Sequence, residues 1–130
     1  LLTLLHELSF NVSIETSNAI SIKGLDVRTV IVLDIKTPGS KEESKNLIDN
    51  YRYLKPNDQI KFVICNLSDY EWAKAYIYKY DLYRICTVLF SPSHDEMNIK
   101  TLAENILKDN IPVRLQTQLH KVIWSNERGR

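Results

Sequence analysis

The sequence feature that most constrains the fold is the run VIVLDI at positions 30–35, which Lys36 follows directly. Five of its six residues are apolar. That is more than a half-exposed strand usually carries, and it is typical of a parallel strand that is covered on both faces. We therefore predict a central strand of a parallel sheet at this position.

Two charged residues, Asp34 and Lys36, stand at the carboxyl end of this predicted strand. Because side chains alternate along a strand, both charges point to the same face. Removing a charge from water is costly unless the charge is paired. The pair is therefore either a structural ion pair or part of a ligand site, and the pattern leaves both readings open. Pro38 and Gly39 then end the strand in a short loop.

The length and the charge of the chain exclude several classes of protein. Its 130 residues allow one domain with a real core, but a closed (β/α) barrel of eight units typically needs about 250. The 17 basic and 16 acidic residues are scattered, so charge gives no indication of nucleic-acid binding. No apolar run reaches the roughly 18 residues of a membrane span, and residues 1–8 lack the features of a signal peptide.

The two cysteines are expected to be buried thiols. Cys65 and Cys86 each lie in an apolar run, in what we predict to be separate strands, so neither a disulfide nor a metal pair is favoured. This usage fits a reducing, cytoplasmic setting.

Four segments are predicted to be helices. Leucines at positions 1, 4, 5 and 8 form one face of a first helix that starts without a cap, which predicts a fragment, a cleaved form or a disrupted reading frame. Ser40 is predicted to cap a helix over residues 41–54. Ser68 and Glu71 form a capping box for a helix that runs to about residue 80. Asn98 is predicted to cap a helix over residues 99–108.

Four further segments are predicted to be strands, at residues 11–17, 59–66, 86–90 and 113–118. Lys61 lies near the start of its strand and is expected to be solvated.

The third predicted helix carries an aromatic stripe. Trp72, Tyr76 and Tyr80 recur at helical spacing, and we interpret them as packing residues because no basic residues interleave as they do in proteins that stack bases.

Polar residues mark the ends of four of the five predicted strands. They are Glu15, Asp34 with Lys36, Ser91 with His94, and Gln116 with Gln118. Parallel α/β sheets bind ligands outside the carboxyl ends of their strands, where loops and helix N-termini converge. The sequence therefore predicts a ligand pocket at this edge, although a lone loop histidine such as His94 is more often an ordinary surface residue.

Five segments together resemble the carboxyl-terminal part of one enzyme family. They are IVLDIKTPGS at 31–40, KFVI at 61–64, DYEWA at 69–73, VLFSP at 88–92 and PVRLQTQLHKVIW at 112–124. The family is that of the 7-carboxy-7-deazaguanine synthases, which are radical S-adenosylmethionine enzymes of queuosine and deazapurine biosynthesis. The resemblance covers the chain in order from about residue 11, and no single motif carries it.

The resemblance implies an α/β fold that is the carboxyl-terminal half of a partial (β/α) barrel, with a mostly parallel sheet and residues 1–130 forming one incomplete domain. It implies a 4Fe-4S cluster, S-adenosylmethionine, Mg²⁺ and a carboxylated tetrahydropterin substrate, whose ring is contracted with loss of ammonia. It places two sets of residues against S-adenosylmethionine, namely Asp34, Ile35 and Lys36, and Ser91, Pro92, Ser93 and His94. It brings three residues of the tail, Gln118, His120 and Arg130, toward the substrate.

The chain departs from the family pattern in its metal ligands. The family uses three cysteines in a CxxxCxxC loop to bind the cluster, and iron-sulfur sites depend on thiolate ligands. This chain has two cysteines, and neither lies in such a motif. The family's glycine-rich strand-end motif, magnesium-binding threonine and pterin-binding amino-terminal segment are missing as well. We predict that the chain contains no metal ligands or catalytic residues of its own and cannot generate the radical by itself.

Three hypotheses follow for the function. The first is the carboxyl-terminal half of the synthase, acting as a homodimer or together with a complementing amino-terminal half. The second is a non-catalytic module that dimerises through exposed barrel edges, since exposed edges invite pairing with another chain. The third is a free-standing nucleotide-binding α/β domain, which the three isolated glycines of the chain do not favour.

Overall fold

The computed structural model describes residues 1–8, 12–94 and 96–117, and it contains a five-stranded, all-parallel sheet. The strands are β1 (Ser13–Ser17), β2 (Val30–Ile35), β3 (Gln59–Ile64), β4 (Thr87–Pro92) and β5 (Arg114–Leu115). The helices are α1 (Leu2–Glu7), α2 (Leu67–Lys79), α3 (Leu82–Ile85) and α4 (Ile99–Asp109). The strand order is β1-β2-β3-β4-β5, so strands that follow one another along the chain are also neighbours in the sheet. The predicted α/β class is confirmed, and all five carboxyl ends lie at one edge.

Strand β2 lies between β1 and β3, but it is not covered on both faces as its apolar run predicted. Ile31, Leu33 and Ile35 are buried, whereas Val30 and Val32 on the opposite face are only half-buried. The reason is that the helices contribute their buried side chains to one face of the sheet. The apolar run is therefore explained by one fully covered face and one partly exposed face.

The hydrophobic core lies on the covered face. Its largest members include Leu33, Ile35, Ile60, Phe62, Ile64 and Phe90 from the strands and Tyr70, Ile77, Leu82 and Leu102 from the helices. Phe62 and Phe90 meet edge to face with their ring centroids 5.5 Å apart. Burying each large apolar side chain contributes about 1.5–3 kcal/mol, so this layer is the main source of stability.

The opposite side of the sheet, which we call the open face, carries the charged strand residues. We define it by the side chains of Glu15, Val32, Asp34, Lys36, Lys61, Val63 and Ser91, which alternation and register place together. Helices α2, α3 and α4 supply their buried residues to the core on the other side of the sheet.

The prediction of a helix over residues 41–54 is wrong. This stretch forms two short 3₁₀ turns, at Glu43–Lys45 and Ile48–Tyr53, and a third precedes it at Pro38–Ser40. Two asparagines explain the difference, because their side chains hydrogen-bond to distant backbone groups. Asn46 binds the backbone of Lys36, and Asn50 accepts from the N–H of Ile22 at 2.9 Å. Such bonds offer the chain an alternative to a continuous helix.

The caps of the later helices are partly as predicted. Asn98 caps α4, its Oδ1 accepting a hydrogen bond from the N–H of Thr101 at 3.1 Å, as expected. Helix α2 is capped by Asn66 and not by Ser68, since Asn66 Oδ1 accepts from the N–H of Asp69 at 2.8 Å. The Ser68 capping box is therefore wrong by two positions.

The aromatic stripe of α2 packs as expected. The rings of Trp72 and Tyr76 stack with centroids 4.6 Å apart, and Tyr76 contacts Phe62 of the core at 6.1 Å. Tyr80 continues the stripe, 4.7 Å from Tyr76. The stripe thus extends the core to the helix surface.

Three other predictions differ in detail. Strand β5 is a two-residue strand, shorter than expected. Helix α1 buries none of its residues, and Leu4 and Leu8 of its leucine face are exposed. Cys65 and Cys86 are free thiols, the first half-buried and the second buried. Within the described residues, no helix is both long enough and apolar enough to cross a bilayer.

Candidate functional site

The two charges at the end of β2 point to the open face together, as the alternation predicted. Lys36 Nζ lies 2.9 Å from Asp34 Oδ2, and the Asp34 side chain is 17% exposed. The other carboxylate oxygen, Asp34 Oδ1, is buried and has no hydrogen-bond partner among the described residues. A buried acceptor without a donor is unfavourable, so a ligand that brought a donor to this oxygen would remove an energetic cost.

The parallel register places further polar residues beside this pair. Ser17, Asp34 and Lys61 are successive partners across β1, β2 and β3. Lys61 is not solvated as expected: its side chain is 14% exposed, and its Nζ lies 3.2 Å from Glu15 Oε1. The sequence indicated that Lys61 shares a face with Val63, but only the register shows that it stands next to Asp34.

A side chain from the following loop determines the backbone at Lys36. Asn46 Oδ1 accepts from the Lys36 N–H at 2.9 Å, and Asn46 Nδ2 donates to the Lys36 carbonyl at 2.8 Å. The neighbouring Leu47 N–H donates to the Asn18 carbonyl at 2.8 Å. The loop that carries Asn46 is therefore attached to the chain that follows β1.

The next residues, 36–39, form what we call the β2 tip, and a buried carboxylate holds its far end. Asp69 accepts hydrogen bonds from Thr37 Oγ1 at 3.0 Å, from the Gly39 N–H at 2.8 Å and from the Cys65 N–H at 3.0 Å. Asp69 lies in the first turn of α2, where the helix dipole favours a negative charge. It therefore connects the ends of β2 and β3.

The second predicted segment lies at the end of β4. Ser91 is buried and pairs with Val63, and Pro92 pairs with Ile64. The Ser93 N–H donates to the Ile64 carbonyl at 2.8 Å, and Ser93 Oγ donates to Glu96 Oε1 at 2.9 Å.

The structure brings the two predicted segments to the same edge, one strand apart. Ile35 pairs with Phe62, so Lys36 comes level with Val63, whose other partner is Ser91. Adjacent strands are about 4.8 Å apart, which places the ends of β2 and β4 roughly 10 Å from each other. A ligand of ordinary size could contact both.

Not all predicted residues present their side chains there. The Ile35 side chain is fully buried in the core on the covered face, which leaves its backbone for any ligand contact. His94 is exposed at the start of a turn. Gln118, His120 and Arg130 lie outside the described residues, so their roles stay predictions.

A surface pocket lies elsewhere, at the amino ends of β3, β4 and β5. Its lining includes Pro56, Tyr83, Arg84, Thr87 and Pro112. Because ligand sites of parallel sheets form at the carboxyl ends of the strands, this pocket is not the predicted site.

The thiols of this chain do not fit an iron-sulfur cluster. Burial raises the pKa of the Cys86 thiol to about 12, and burial also raises the pKa of Cys65, against a hydrogen bond with Ser93 that lowers it. Cluster ligands must be thiolates, and while no metal is bound both environments favour the protonated thiol. Among the described residues, no three His, Cys, Asp or Glu side chains are grouped as metal ligands.

Comparison with known proteins identifies relatives. No protein-family model matches the chain. The 7-carboxy-7-deazaguanine synthase of Chlorobaculum tepidum is 35% identical over 118 residues, which cover 88% of this chain and 53% of that protein. The enzyme of the same name from Leptospira interrogans is 38% identical over 121 residues, covering 89% of this chain and 50% of that protein. The enzyme of the same name from Koribacter versatilis is 34% identical over 131 residues, covering 91% of this chain and 58% of that protein.

The chain thus spans about half the length of the curated relatives that it matches. The relatives come from different organisms and carry the same name, and the resemblance seen in the five sequence segments agrees with them. Over about nine-tenths of its length, the chain is therefore similar to about half of each of these 7-carboxy-7-deazaguanine synthases.

Proposed function

We propose that this chain is the carboxyl-terminal part of a 7-carboxy-7-deazaguanine synthase, which converts a 6-carboxy-tetrahydropterin to 7-carboxy-7-deazaguanine in queuosine biosynthesis. The observation that carries the proposal is the match of about nine-tenths of the chain to about half of each relative. The described residues that the resemblance assigns to S-adenosylmethionine lie at one edge of the sheet, which supports it further.

The topology supports the carboxyl-terminal half of a partial (β/α) barrel. Strands in sequential order, with helices packed on one face, are the arrangement from which a singly wound barrel is built. In that arrangement the open face becomes the interior. The charges that it carries would then face an enclosed site.

The open-face residues fit S-adenosylmethionine chemically. This ligand carries a sulfonium and an ammonium group, a carboxylate and ribose hydroxyls. Asp34 Oδ1 can accept from an N–H or O–H of the ligand, and the Lys36 ammonium can meet its carboxylate. The hydroxyls of Ser91 and Ser93 add donors and acceptors at the end of β4. These residues would bind and orient the cofactor, which supplies the one-electron chemistry of the family when it is bound.

The cluster and the magnesium ion would be supplied by another segment or another chain. Neither Cys65 nor Cys86 fits a cluster ligand, so we infer that these 130 residues are inactive alone.

The test combines this chain with the part of the Chlorobaculum tepidum synthase that it does not match. The mixture is loaded with iron and sulfide under anaerobic, reducing conditions and given S-adenosylmethionine, Mg²⁺ and the carboxylated pterin. We expect 5′-deoxyadenosine and 7-carboxy-7-deazaguanine, measured by mass spectrometry, from the mixture and not from either piece alone. A folded, cluster-loaded mixture that makes neither product contradicts the proposal.

A second candidate is a non-catalytic module that dimerises through exposed barrel edges. It is favoured by the position of β1 at the edge of the sheet and by exposed apolar side chains close to it in sequence, namely Ile20 and Val27. Analytical ultracentrifugation separates the two readings. A stable monomer at high concentration excludes the module, and a tight dimer that excludes the amino-terminal piece supports it.

A further inference from the structure

The proposed site depends on the backbone conformation of a residue that lies just beyond the sheet. The last paired positions of β2 are Asp34 with β1 and Ile35 with β3. Lys36 follows them, and Pro38 begins a 3₁₀ turn only two residues later. The ladder alone therefore does not determine whether Lys36 stays extended.

Asn46 replaces the missing strand partner. Its side-chain amide forms two hydrogen bonds with one residue, accepting from the Lys36 N–H at 2.9 Å and donating to the Lys36 carbonyl at 2.8 Å. This pairs both backbone groups of Lys36, as a neighbouring strand would. The two residues are ten positions apart, so the contact is not a local turn.

The extended backbone conformation at Lys36 directs its side chain toward Asp34. Residues i and i+2 share a face only in an extended segment, and this geometry brings Lys36 Nζ to 2.9 Å from Asp34 Oδ2. With the Lys36 amine on Asp34 Oδ2, the Oδ1 atom remains buried and without a partner in the described part of the chain. A rotation of the Lys36 backbone would remove the amine and change the surroundings of both oxygens.

The two ends of the β2 tip are held separately. Asp69 binds Thr37 and Gly39 from the side of α2, whereas Asn46 binds Lys36 from the loop anchored at Asn18. Loss of Asn46 should therefore loosen Lys36 while Asp69 keeps the remainder of the turn in place.

We propose that Asn46 is a positioning residue, whose side-chain amide fixes the Lys36 backbone and thereby orients the Asp34–Lys36 pair toward the ligand. The identity of the ligand as S-adenosylmethionine rests on the proposed function. The hydrogen-bonding device itself rests on the described contacts.

The first measurement concerns the chain alone. Amide hydrogen exchange by NMR should show that Asn46→Ala lowers the protection of the Lys36 N–H at least tenfold more than that of the Ile31 N–H on the same strand. Asn46→Asp keeps the acceptor and loses the donor, so its effect should lie between wild type and Asn46→Ala. Unchanged protection at Lys36 in Asn46→Ala would overturn the proposal.

The second measurement is the dissociation constant for S-adenosylmethionine in the assembly with the amino-terminal piece of the Chlorobaculum tepidum synthase. Asn46→Ala should raise it about tenfold, the factor that corresponds to one net hydrogen bond of ordering. The control is Asp58→Asn, which weakens the contact at the other end of β2, where Asp58 accepts from the Ile31 N–H at 2.9 Å.

The control separates positioning from general stability. Asp58→Asn should lower the melting temperature at least as much as Asn46→Ala and leave the dissociation constant unchanged. If each variant weakens S-adenosylmethionine binding in proportion to the decrease in its melting temperature, Asn46 is merely structural and the proposal fails. If the wild-type assembly binds no S-adenosylmethionine but Asn46→Ala still frees the Lys36 amide, the proposed function fails and the assignment of Asn46 stands.

Discussion

Gly39 and Asp69 are in contact across the ends of β2 and α2: the Gly39 N–H donates to Asp69 Oδ1 at 2.8 Å, and a Cβ on Gly39 would overlap Asp69 Oδ2. The carboxylate cannot simply move aside, because it also accepts from Thr37 Oγ1 and from the Cys65 N–H. The glycine is needed here for close approach.

We expect Gly39→Ala to lower the free energy of unfolding by about 1–3 kcal/mol, measured by urea denaturation, because the added methyl displaces the Asp69 carboxylate. The matched control is Gly24→Ala. Gly24 has a φ of +83° and no atom within 4 Å of an added Cβ, so its cost is backbone strain of about 1 kcal/mol. In an Asp69→Ala background the extra cost of Gly39→Ala should disappear. An undiminished cost there would show that the overlap is not its cause.

Asp58 should be among the most sensitive charged residues of the fold. Its side chain is fully buried, and it accepts from the Ile31 N–H at 2.9 Å and from the Lys55 N–H and Nζ at 2.7 and 3.0 Å. We expect Asp58→Ala to cost about 3–5 kcal/mol in unfolding free energy, because a charge and two backbone donors lose their partner. Asp49→Ala, which removes an exposed ion pair with Arg52, should cost about 1 kcal/mol or less. Equal losses in urea denaturation would refute this ranking.

Variants of Asp34 and Lys36 test whether this pair is part of a ligand site or only a structural ion pair. If it binds S-adenosylmethionine, Asp34→Asn and Lys36→Met should each raise the dissociation constant of the assembly at least tenfold, which corresponds to about 1.4 kcal/mol. The pair is partly exposed, so the melting temperature should change little.

Asp26→Asn is the control for that comparison, since it breaks an ion pair with Arg28 of similar geometry, 2.7 Å long, before the amino end of β2. It should leave the affinity for S-adenosylmethionine unchanged. If the double variant Asp34→Asn with Lys36→Met binds as well as wild type, the pair has only a structural role.

Because the Cys86 thiol is buried, we expect the protein to lose stability at alkaline pH. Burial raises the pKa of Cys86 from 9.0 to about 12, with a smaller contribution from the charge of Asp58. The folded state therefore keeps the proton more tightly than the unfolded state. The stabilisation is fully present below pH 9 and is lost as the pH rises from about 9 to about 12.

Cys86→Ala should reduce the loss of unfolding free energy between pH 8 and pH 10, measured by urea denaturation at both pH values. Cys65→Ala should reduce it less, since Cys65 is less buried. In the native state at pH 8, Ellman's reagent should react with Cys65 first and with Cys86 only after unfolding. Fast labelling of Cys86 would contradict its burial.

Several properties of this protein were determined by local sequence. The alternation of a strand is a property of the backbone itself, so the placement of Asp34 and Lys36 on one face was predictable from their spacing. The same holds for the Asn98 cap of α4, which depends on a residue three positions away. Strands β1 to β4 were located to within two residues because their apolar runs are short and bounded by turn residues.

Other properties were decided only by tertiary structure. The sequence could not show that β2 is covered on one face, since that depends on where all the helices pack. It could not show that Asn46 binds Lys36 and prevents a helix, or that Lys61 pairs with Glu15, because these partners lie 10 and 46 positions apart. A strand's own pattern determines which side chains share a face, whereas the partner that each polar group finds depends on which distant segments folding brings to it.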